Sequence, residues 1–384
     1  MADRKDSALT SATPVITDAV RGLDDPAGTP ISVTFLLSAI YTLFKTSFDA
    51  VYAAIGSSGI GVNALINGGF RVAQRGTTFN STTTPANSDD TFLLDRWNLL
   101  SDGNDIVDVS QETSATIADP AYNIKLDVET ANKKFGIIQF LEQKDARRLI
   151  NQSVSLSFKA KITGTTINAI RAAVIAWDGT ADTLTSDVVS AWGAAGTNPT
   201  LVANWTYENT PAALTAPTTS WASYSIQNIA IDTASATNVA VFIWTDDVTM
   251  NVADFLHIAD VKLEVGATAT AFEFRSIDAE ISMCSRYFLK CGFNMLGAWL
   301  NASHVDIVGS LIHEMRIAPT ATLTTTTPIV AEIGIANRTG TASTVTYQSN
   351  GAKGVYIRID GFSGATASNM AAMAGDYLFL NAEL

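Results

Sequence analysis

Cysteine, histidine and basic residues are scarce in this sequence. Among 384 residues there are 2 cysteines, 3 histidines and 24 lysines and arginines, and the formal net charge is −13. Cys284 and Cys291 are too few for a disulfide framework, so we expect both to be thiols of a chain made in a reducing cytoplasm. His257, His304 and His313 lack the spacing of metal ligands. No basic stretch contains interleaved aromatic residues, which argues against a nucleic-acid surface.

Signals for export, membrane insertion and nucleophilic catalysis are also missing. Residues 1–12 are polar and charged, so we expect no signal peptide. The most apolar stretch, residues 33–55, contains Lys45 and Asp49 and is too polar to cross a bilayer. No G-x-S-x-G elbow, Walker loop or dinucleotide fingerprint is present. We therefore predict a protein that is not an enzyme, has no cofactor or catalytic metal, and does not insert into a membrane.

Alternation of apolar and polar residues predicts a mainly β fold. Charged residues make up only 16% of the chain, as in β-proteins with many turns. Within residues 61–276, Ile124, Leu126 and Val128 alternate with polar residues. About eight short strands without long intervening helices predict an antiparallel β-sandwich. A helical linker over residues 277–291 and a smaller C-terminal β-sandwich over residues 292–384 are expected to follow.

Residues 1–60 combine a turn-rich segment with a helical pattern. The turns contain Asp25, Pro26, Gly28 and Pro30. Between residues 33 and 55, apolar residues recur at helical spacing and form one face. That face consists of Leu37, Ile40, Phe44, Phe48, Val51 and Ile55. An apolar face this wide needs a partner, so we expect this N-terminal helix to self-associate, threefold, around a fibre axis. The alternative is that it packs against the protein's own β-domain.

Several motifs resemble those of a jelly-roll module found in tail-fibre and other virion proteins of tailed bacteriophages. The opening motif is Asn67-Gly68-Gly69-Phe70-Arg71 and the residues to Thr77, followed by Asp95-Arg96-Trp97. The closing motifs are Ile258-Ala259-Asp260 and the residues to Gly266, then residues 270–275, residues 284–288 and Asn381-Ala382-Glu383-Leu384. The turn over residues 25–30 resembles virion-attachment segments of the same proteins. The module is also similar to carbohydrate-binding modules of glycosidases.

The resemblance implies attachment, either to a host glycan or to neighbouring virion proteins, and it implies no chemistry. We therefore predict a short homotrimeric tail fibre in the virion, made in the host cytoplasm. Residues 1–60 would anchor it to other virion proteins, and the β-domains would contribute to recognition of a host-surface glycan. Two alternatives remain open: a capsid head fibre or decoration protein without a receptor role, and a polysaccharide depolymerase. The depolymerase alternative is weakened because the sequence shows no repeat with the period of a β-helix.

Three aromatic residues, Trp192, Trp205 and Tyr207, are the candidates for glycan binding. Sugars are held by stacking on Trp and Tyr rings, while polar side chains bind their hydroxyl groups. Trp192 lies in a Gly-rich segment, residues 190–199, and is the first choice for an exposed platform. The alternative is that these rings fill the core or pack between subunits, since Trp is highly buried on average.

Other signature residues have structural interpretations. Asp89, Asp90 and Asp95 are candidate ligands of a structural calcium ion, with solvated turns as the alternative. The motif Asn67-Gly68-Gly69 predicts a left-handed backbone at the entry into the first strand. Arg96 is expected to pair with a carboxylate.

Overall fold

The computed structural model describes residues 62–384, except 247–248, 292–294 and 376, together with one short strand pair near the N-terminus. The chain forms two compact units, residues 1–60 and 61–384. In the first unit, β1 (Ala19–Val20) pairs with β2 (Phe35–Leu36). The N-terminal helix over residues 33–55 is therefore not supported, because Phe35 and Leu36 lie in β2. The rest of that helix lies outside the described residues, and so do the anchoring residues Asp25, Pro26, Gly28 and Pro30.

Two antiparallel sheets of six strands form the first sandwich. The front sheet contains β4 (Thr91–Phe92), β5 (Asn98–Ser101), β8 (Phe135–Leu141), β10 (Ile170–Trp177), β13 (Trp205–Tyr207) and β15 (Asn238–Thr245). The back sheet contains β3 (Thr78–Phe79), β6 (Val107–Thr113), β7 (Tyr122–Val128), β9 (Ser153–Thr163), β14 (Ala222–Ala230) and β16 (Phe255–Val265). Their orders are β13-β10-β15-β8-β5-β4 and β14-β9-β16-β7-β6-β3. A separate pair, β11 (Val189–Ala191) and β12 (Thr200–Leu201), lies between β10 and β13 in the chain.

The core of the first sandwich lies between these sheets, as the alternating pattern predicts. Ile124, Leu126 and Val128 all point into it and are at most 1% exposed. The front sheet differs, because β8, β10 and β15 are buried on both faces. Their outward residues, such as Phe242 and Trp244, belong to a second apolar cluster. The mainly β, antiparallel prediction is confirmed.

A second sandwich follows, built from a three-stranded and a seven-stranded antiparallel sheet. The three-stranded sheet contains β17 (Phe288–Cys291), β20 (Thr320–Leu323) and β26 (Leu378–Asn381), with β26 in the centre. The seven-stranded sheet contains β18 (Leu296–Trp299), β19 (Val305–Ser310), β21 (Ile329–Glu332), β22 (Ala336–Thr339), β23 (Val345–Gly351), β24 (Gly354–Ile359) and β25 (Met370–Met373). Leu378 and Leu380 of β26 pack into the core between the two sheets.

Two short helices complete the described part of the chain. Helix α1 (Gln143–Ala146) follows β8, and α2 (Ile277–Ser285) joins the sandwiches where the sequence predicts a helical segment. The Ser276 side chain caps α2 by accepting a hydrogen bond from the backbone N–H of Ala279. Neither of these helices has the length to span a bilayer. Cys284 is buried, Cys291 is half-buried, and they form no disulfide.

The opening motif forms a tight turn with two left-handed residues, one of them in the predicted segment Asn67-Gly68-Gly69. Asn67 and Phe70 have φ values of 55° and 53°. Gly68 is required for a different reason, since a Cβ there would overlap the carbonyl oxygen of Val261. The close approach lets the Val261 N–H donate to the Gly68 carbonyl at 2.9 Å. The left-handed backbone predicted for this motif is therefore present at Asn67, and Gly68 is needed for the close contact with Val261.

Candidate functional site

The three predicted glycan-binding residues lie together on the outer face of the front sheet. Trp205 is 6% exposed and belongs to the apolar cluster there. Trp192 meets Phe242 edge-on at a centroid distance of 5.9 Å. The Tyr207 hydroxyl donates to the Pro199 carbonyl at 2.9 Å, and burial raises the pKa of this phenol. All three rings are engaged in packing, and their role in glycan binding stays a prediction.

The Gly-rich segment around Trp192 is held in place by a buried ion cluster. Asp246 accepts from Lys134 at 3.1 Å and from Arg171 at 2.5 Å, and all three side chains are less than 10% exposed. Lys134 Nζ also donates to the Ala194 carbonyl at 2.8 Å, and Arg171 Nη2 donates to the Gly196 carbonyl at 2.9 Å. The cations thus bind two backbone carbonyls of the segment. It covers the front sheet as a fixed part of the sandwich, although its composition suggests a loose platform.

The signature motifs meet in a buried network between the two sandwiches. Arg96 pairs with Glu383, as its predicted need for a carboxylate requires, and the Arg75 Nη2 lies 3.1 Å from the same carboxylate. Arg96 also donates to the Phe140 carbonyl at 2.6 Å and stacks 3.6 Å over the ring of Tyr287. Burial lowers the pKa of Arg96, but Glu383 and the neighbouring Tyr287 and Cys284 together outweigh burial, so that the pKa is raised. This network fixes the end of β26 against the first sandwich.

A second ion pair joins the sandwiches beside the first. Glu142, just before α1, accepts from Arg286 at 2.7 Å and from the Tyr287 hydroxyl at 3.0 Å. Burial raises the pKa of Glu142, but the hydrogen bond and charge of Arg286 lower it more, so the net pKa is below its ordinary value. Arg316 donates to the Ala382 carbonyl at 2.7 Å. The two sandwiches are therefore joined by charged groups with fixed geometry.

A groove of about 450 Å³ lies next to this network, between the sandwiches. We call it the inter-sandwich groove. Its floor is the face of the three-stranded sheet that points away from the core, with Phe379 next to Thr322 and Asn381 next to Thr320 in register. Its wall comes from the first sandwich, through Phe92 and its neighbours. The groove is lined by Arg75, Thr84, Pro85, Asp90, Thr91, Phe92, Phe288, Thr320, Thr322, Phe379 and Asn381.

The groove combines aromatic rings with hydrogen-bonding groups. Phe92 and Phe379 are half-buried, and the Arg75 guanidinium lies 5.7 Å from the Phe92 ring centroid and 3.6 Å from that of Phe288. The buried Nη1 of Arg75 has no hydrogen-bond partner within the part of the chain that the structure describes. Burial raises the pKa of Asp90, which accepts hydrogen bonds from two neighbouring side chains. Such a surface can hold a polar ligand that also has an apolar face.

Sequence reasoning missed the groove, although part of its signal is present in β26. Leu378 and Leu380 are the core residues of that strand, and Phe379 stands between them on the opposite face. A large aromatic residue at an outward position of an alternating strand indicates a second contact surface. The contribution of Phe92 from a strand far away in sequence has no local signal.

The candidate calcium ligands have other roles. Asp95 is buried and accepts from the Gln74 backbone and side chain at 2.6 and 2.7 Å. Asp89 accepts from the Ser101 N–H at 2.6 Å. Within the described residues, no group of three or more acidic, histidine or cysteine side chains is placed to hold a metal ion.

Comparisons with known proteins give only partial similarities. No protein-family model matches the chain, and no curated protein matches it. Among solved structures, the enzymatically active domain of tailspike protein 4 of bacteriophage CBA120 is 12% identical, with a TM-score of 0.32. That match covers 53% of this chain and 22% of the tailspike chain.

Two carbohydrate-binding modules are similar to the same degree. The xylan-binding CBM22-1 domain of Paenibacillus barcinonensis Xyn10C is 11% identical, with a TM-score of 0.30, over 56% of this chain and 100% of that domain. A CBM4 module is 12% identical, with a TM-score of 0.31, over 52% of this chain and 98% of the module. At these scores the similarities carry no information about a ligand.

Proposed function

We propose that this chain is a non-enzymatic structural protein of a bacteriophage virion whose inter-sandwich groove binds a host-surface glycan. The observation that carries the proposal is the placement of two half-buried rings, Phe92 and Phe379, in a groove edged by Asp90 and Asn381. An aromatic ring stacks on the apolar face of a sugar, and carboxylate, amide and hydroxyl groups bind its hydroxyls.

The rigidity of the groove favours binding of a weak ligand. Its wall and floor belong to different sandwiches, and Glu383 holds them together through Arg75 and Arg96. A binding surface that is already ordered loses less conformational entropy when the ligand arrives. Sugars make few strong contacts per residue, so this saving is a large part of their affinity.

The groove supports binding without cleavage. Glycoside hydrolysis needs two carboxyl groups on opposite sides of the scissile bond. The described residues that line the groove include one, Asp90, and its oxygens accept from Ser186 at 2.8 Å and Asn98 at 3.3 Å. Incubation with host polysaccharide is therefore expected to release no reducing ends. Their release by the purified chain, with loss in Asp90→Asn, would assign a depolymerase instead.

The virion location, the short tail fibre and the homotrimer belong to the same proposal and are supported by the motif resemblance. Residues 1–60 would anchor the fibre to other virion proteins, leaving the sandwiches at the distal side. Electron microscopy of particles labelled with an antibody to the second sandwich tests the location. Label on the tail is expected, and label on the capsid would make the protein a head fibre or decoration protein. Sedimentation of the full chain is expected to give three times the monomer mass.

Glycan binding is tested by single substitutions compared on a printed array of bacterial surface polysaccharides. Phe379→Ala and Phe92→Ala are each expected to lower affinity about tenfold, equivalent to about 1.4 kcal/mol for a lost stacking contact. Trp192→Ala tests the rival site on the front sheet in the same assay, and it should bind like the unchanged chain if the groove holds the glycan. The opposite result, loss only in Trp192→Ala, would move the site to the front sheet and overturn the groove assignment.

A further inference from the structure

A second groove lies on the outer face of the back sheet. We call it the back-sheet groove. It has a volume of about 480 Å³ and runs between strands β9, β14 and β16 and the chain segment over residues 269–274. Its polar and aromatic lining includes Lys159, Ser223, Ser225, Asp260, Phe272 and Phe274. Several of these belong to the closing motifs that the sequence singles out.

Asp260 is the central polar group of this groove. Its residue is 5% exposed, and its Oδ2 lies 2.9 Å from Lys159 Nζ. Its Oδ1 is buried and accepts no hydrogen bond from any residue that the structure describes. Buried carboxylate oxygens almost always have a donor. Asp260 lies where the register between β9 and β16 shifts, between Ala259 and Lys262. At this irregularity the side chains of β16 do not follow the regular alternation between the two faces of the sheet.

The aromatic wall opposite Asp260 is fixed by buried charged groups. Lys262 is fully buried and donates to Thr270 at 2.6 Å and to the Ala271 carbonyl at 2.8 Å. Glu264, 1% exposed, accepts from the N–H and hydroxyl of Thr270 at 2.6 and 2.7 Å. The wall therefore begins at an anchored residue and presents Phe272 beyond it.

The far end of the wall is anchored as well. Arg275 donates to the Leu65 carbonyl at 2.8 Å, and Arg71 lies 5.9 Å from the ring centroid of Phe274. Phe272 and Phe274 meet edge to face at 5.1 Å, and Phe274 is 54% exposed. An exposed ring on a fixed backbone is suited to contact with a ligand.

We infer that the back-sheet groove is a second saccharide site, in which a sugar hydroxyl donates to Asp260 Oδ1. Lys159 supplies a donor for a neighbouring hydroxyl, Ser223 and Ser225 supply hydroxyl groups, and Phe274 offers a ring for stacking. A metal ion is a poorer occupant, because one carboxylate and serine hydroxyls are too few ligands for calcium. The choice of a sugar rests on the proposed glycan-binding function, but the groove and its residues are separate from the first site.

The experiment compares variants of the full chain on the bacterial polysaccharide array, followed by calorimetric titration with an oligosaccharide prepared from the polysaccharide that binds best. Asp260→Asn keeps the shape of the side chain and tolerates the left-handed backbone at φ 52°. Phe274→Ala changes an exposed ring and leaves the core intact. Asp178→Asn, an exposed aspartate after β10, is the matched control. We expect Asp260→Asn and Phe274→Ala to lose one of two binding sites per chain, or about tenfold in affinity.

The outcomes separate the two sites. Unchanged stoichiometry and affinity in Asp260→Asn and Phe274→Ala, together with loss in Phe379→Ala, would overturn the second site and leave the first. Loss in Asp260→Asn and Phe274→Ala alone would support the second site and overturn the first. An unchanged chain that binds no polysaccharide on the array would overturn both.

Discussion

Substitution of Glu383 by alanine is expected to weaken the contact between the sandwiches more than any surface change. The Glu383 side chain is 4% exposed, and it pairs with Arg96 and Arg75, whose side chains are 1% and 4% exposed. Removing one partner of a buried ion pair costs about 3–5 kcal/mol, because the remaining charge stays buried without compensation. Two guanidinium groups lose their carboxylate here.

Other contacts of these arginines limit the loss. Arg96 keeps its hydrogen bond to the Phe140 carbonyl and its stacking on Tyr287, and Arg75 keeps its stacking on Phe288. We therefore expect Glu383→Ala to lower the free energy of unfolding by about 3 kcal/mol, at the lower end of that range. Glu383→Gln keeps an acceptor oxygen and the shape of the side chain. It should therefore lower the free energy of unfolding by less, and that decrease measures the contribution of the charge alone.

The assay is urea unfolding followed by tryptophan fluorescence. The fluorescence signal reports on the unfolding of both sandwiches, because Trp299 lies in the second and the other tryptophans lie in the first. Glu314→Ala is the control: Glu314 faces Lys353 at 3.6 Å with both side chains more than half exposed, and the expected loss is at most about 1 kcal/mol. If Glu383→Ala loses no more than Glu314→Ala, the network does not hold the sandwiches together and the reasoning fails.

Two further predictions concern the first sandwich. Burial lowers the pKa of His257 to about 4 from an ordinary 6.5, against the opposing charge of Glu112. As the pH falls, His257 is protonated in the unfolded chain before it is protonated in the folded chain. The free energy of unfolding should therefore fall between pH 6.5 and pH 4, by about 3 kcal/mol in total. His257→Asn should flatten this part of the pH profile. Gly136→Ala should cost about 1–3 kcal/mol, because its Cβ would overlap the Ile243 carbonyl oxygen across the ladder between β8 and β15; thermal unfolding measures it.

Matched controls separate these effects from general damage. His313 is exposed, and His313→Asn is the control for the change from histidine to asparagine itself. An equal slope in His257→Asn and the unchanged chain would contradict the first expectation. Gly69→Ala places a Cβ no closer than 3.4 Å to other heavy atoms, so it should be nearly neutral. Equal stability of Gly136→Ala and Gly69→Ala would show that the sheet relaxes around the added methyl group.

Much of the fold could be predicted from local patterns. Ile124, Leu126 and Val128 carry their inward positions in their period of two, and α2 begins at Ile277, where the predicted helical linker begins. The double burial of the front sheet could not be predicted in this way. The outward ring of Phe242 in β15 is buried and meets Trp192 of the Gly-rich segment at a centroid distance of 5.9 Å, and the cluster around Asp246 holds that segment in place. The periodicity of a strand does not predict burial by a segment that is distant in sequence.

The candidate sites were less predictable than the fold. Trp205 and Tyr207 were identified by residue type alone, and residue type does not distinguish a stacking platform from a core ring. Arg96 and Glu383 both stand in motifs that the sequence singles out, yet nothing local indicates that they meet across 287 positions. The role of Asp260 depends on a break in pairing between two strands, which is a property of the pair and not of either sequence.

Both grooves share one physical design that explains why buried charges occur in a chain with so few of them. In each, a buried ion pair fixes a backbone segment: Glu383 with Arg96 for the inter-sandwich groove, and Lys262 with Glu264 for the back-sheet groove. The rings and hydroxyl groups that line each groove then stand on fixed supports. A buried pair contributes little net stability compared with apolar packing, so its advantage lies in geometry. A sugar, the ligand proposed for both grooves, is held weakly, so its affinity would depend on that geometry and on residues that never touch it.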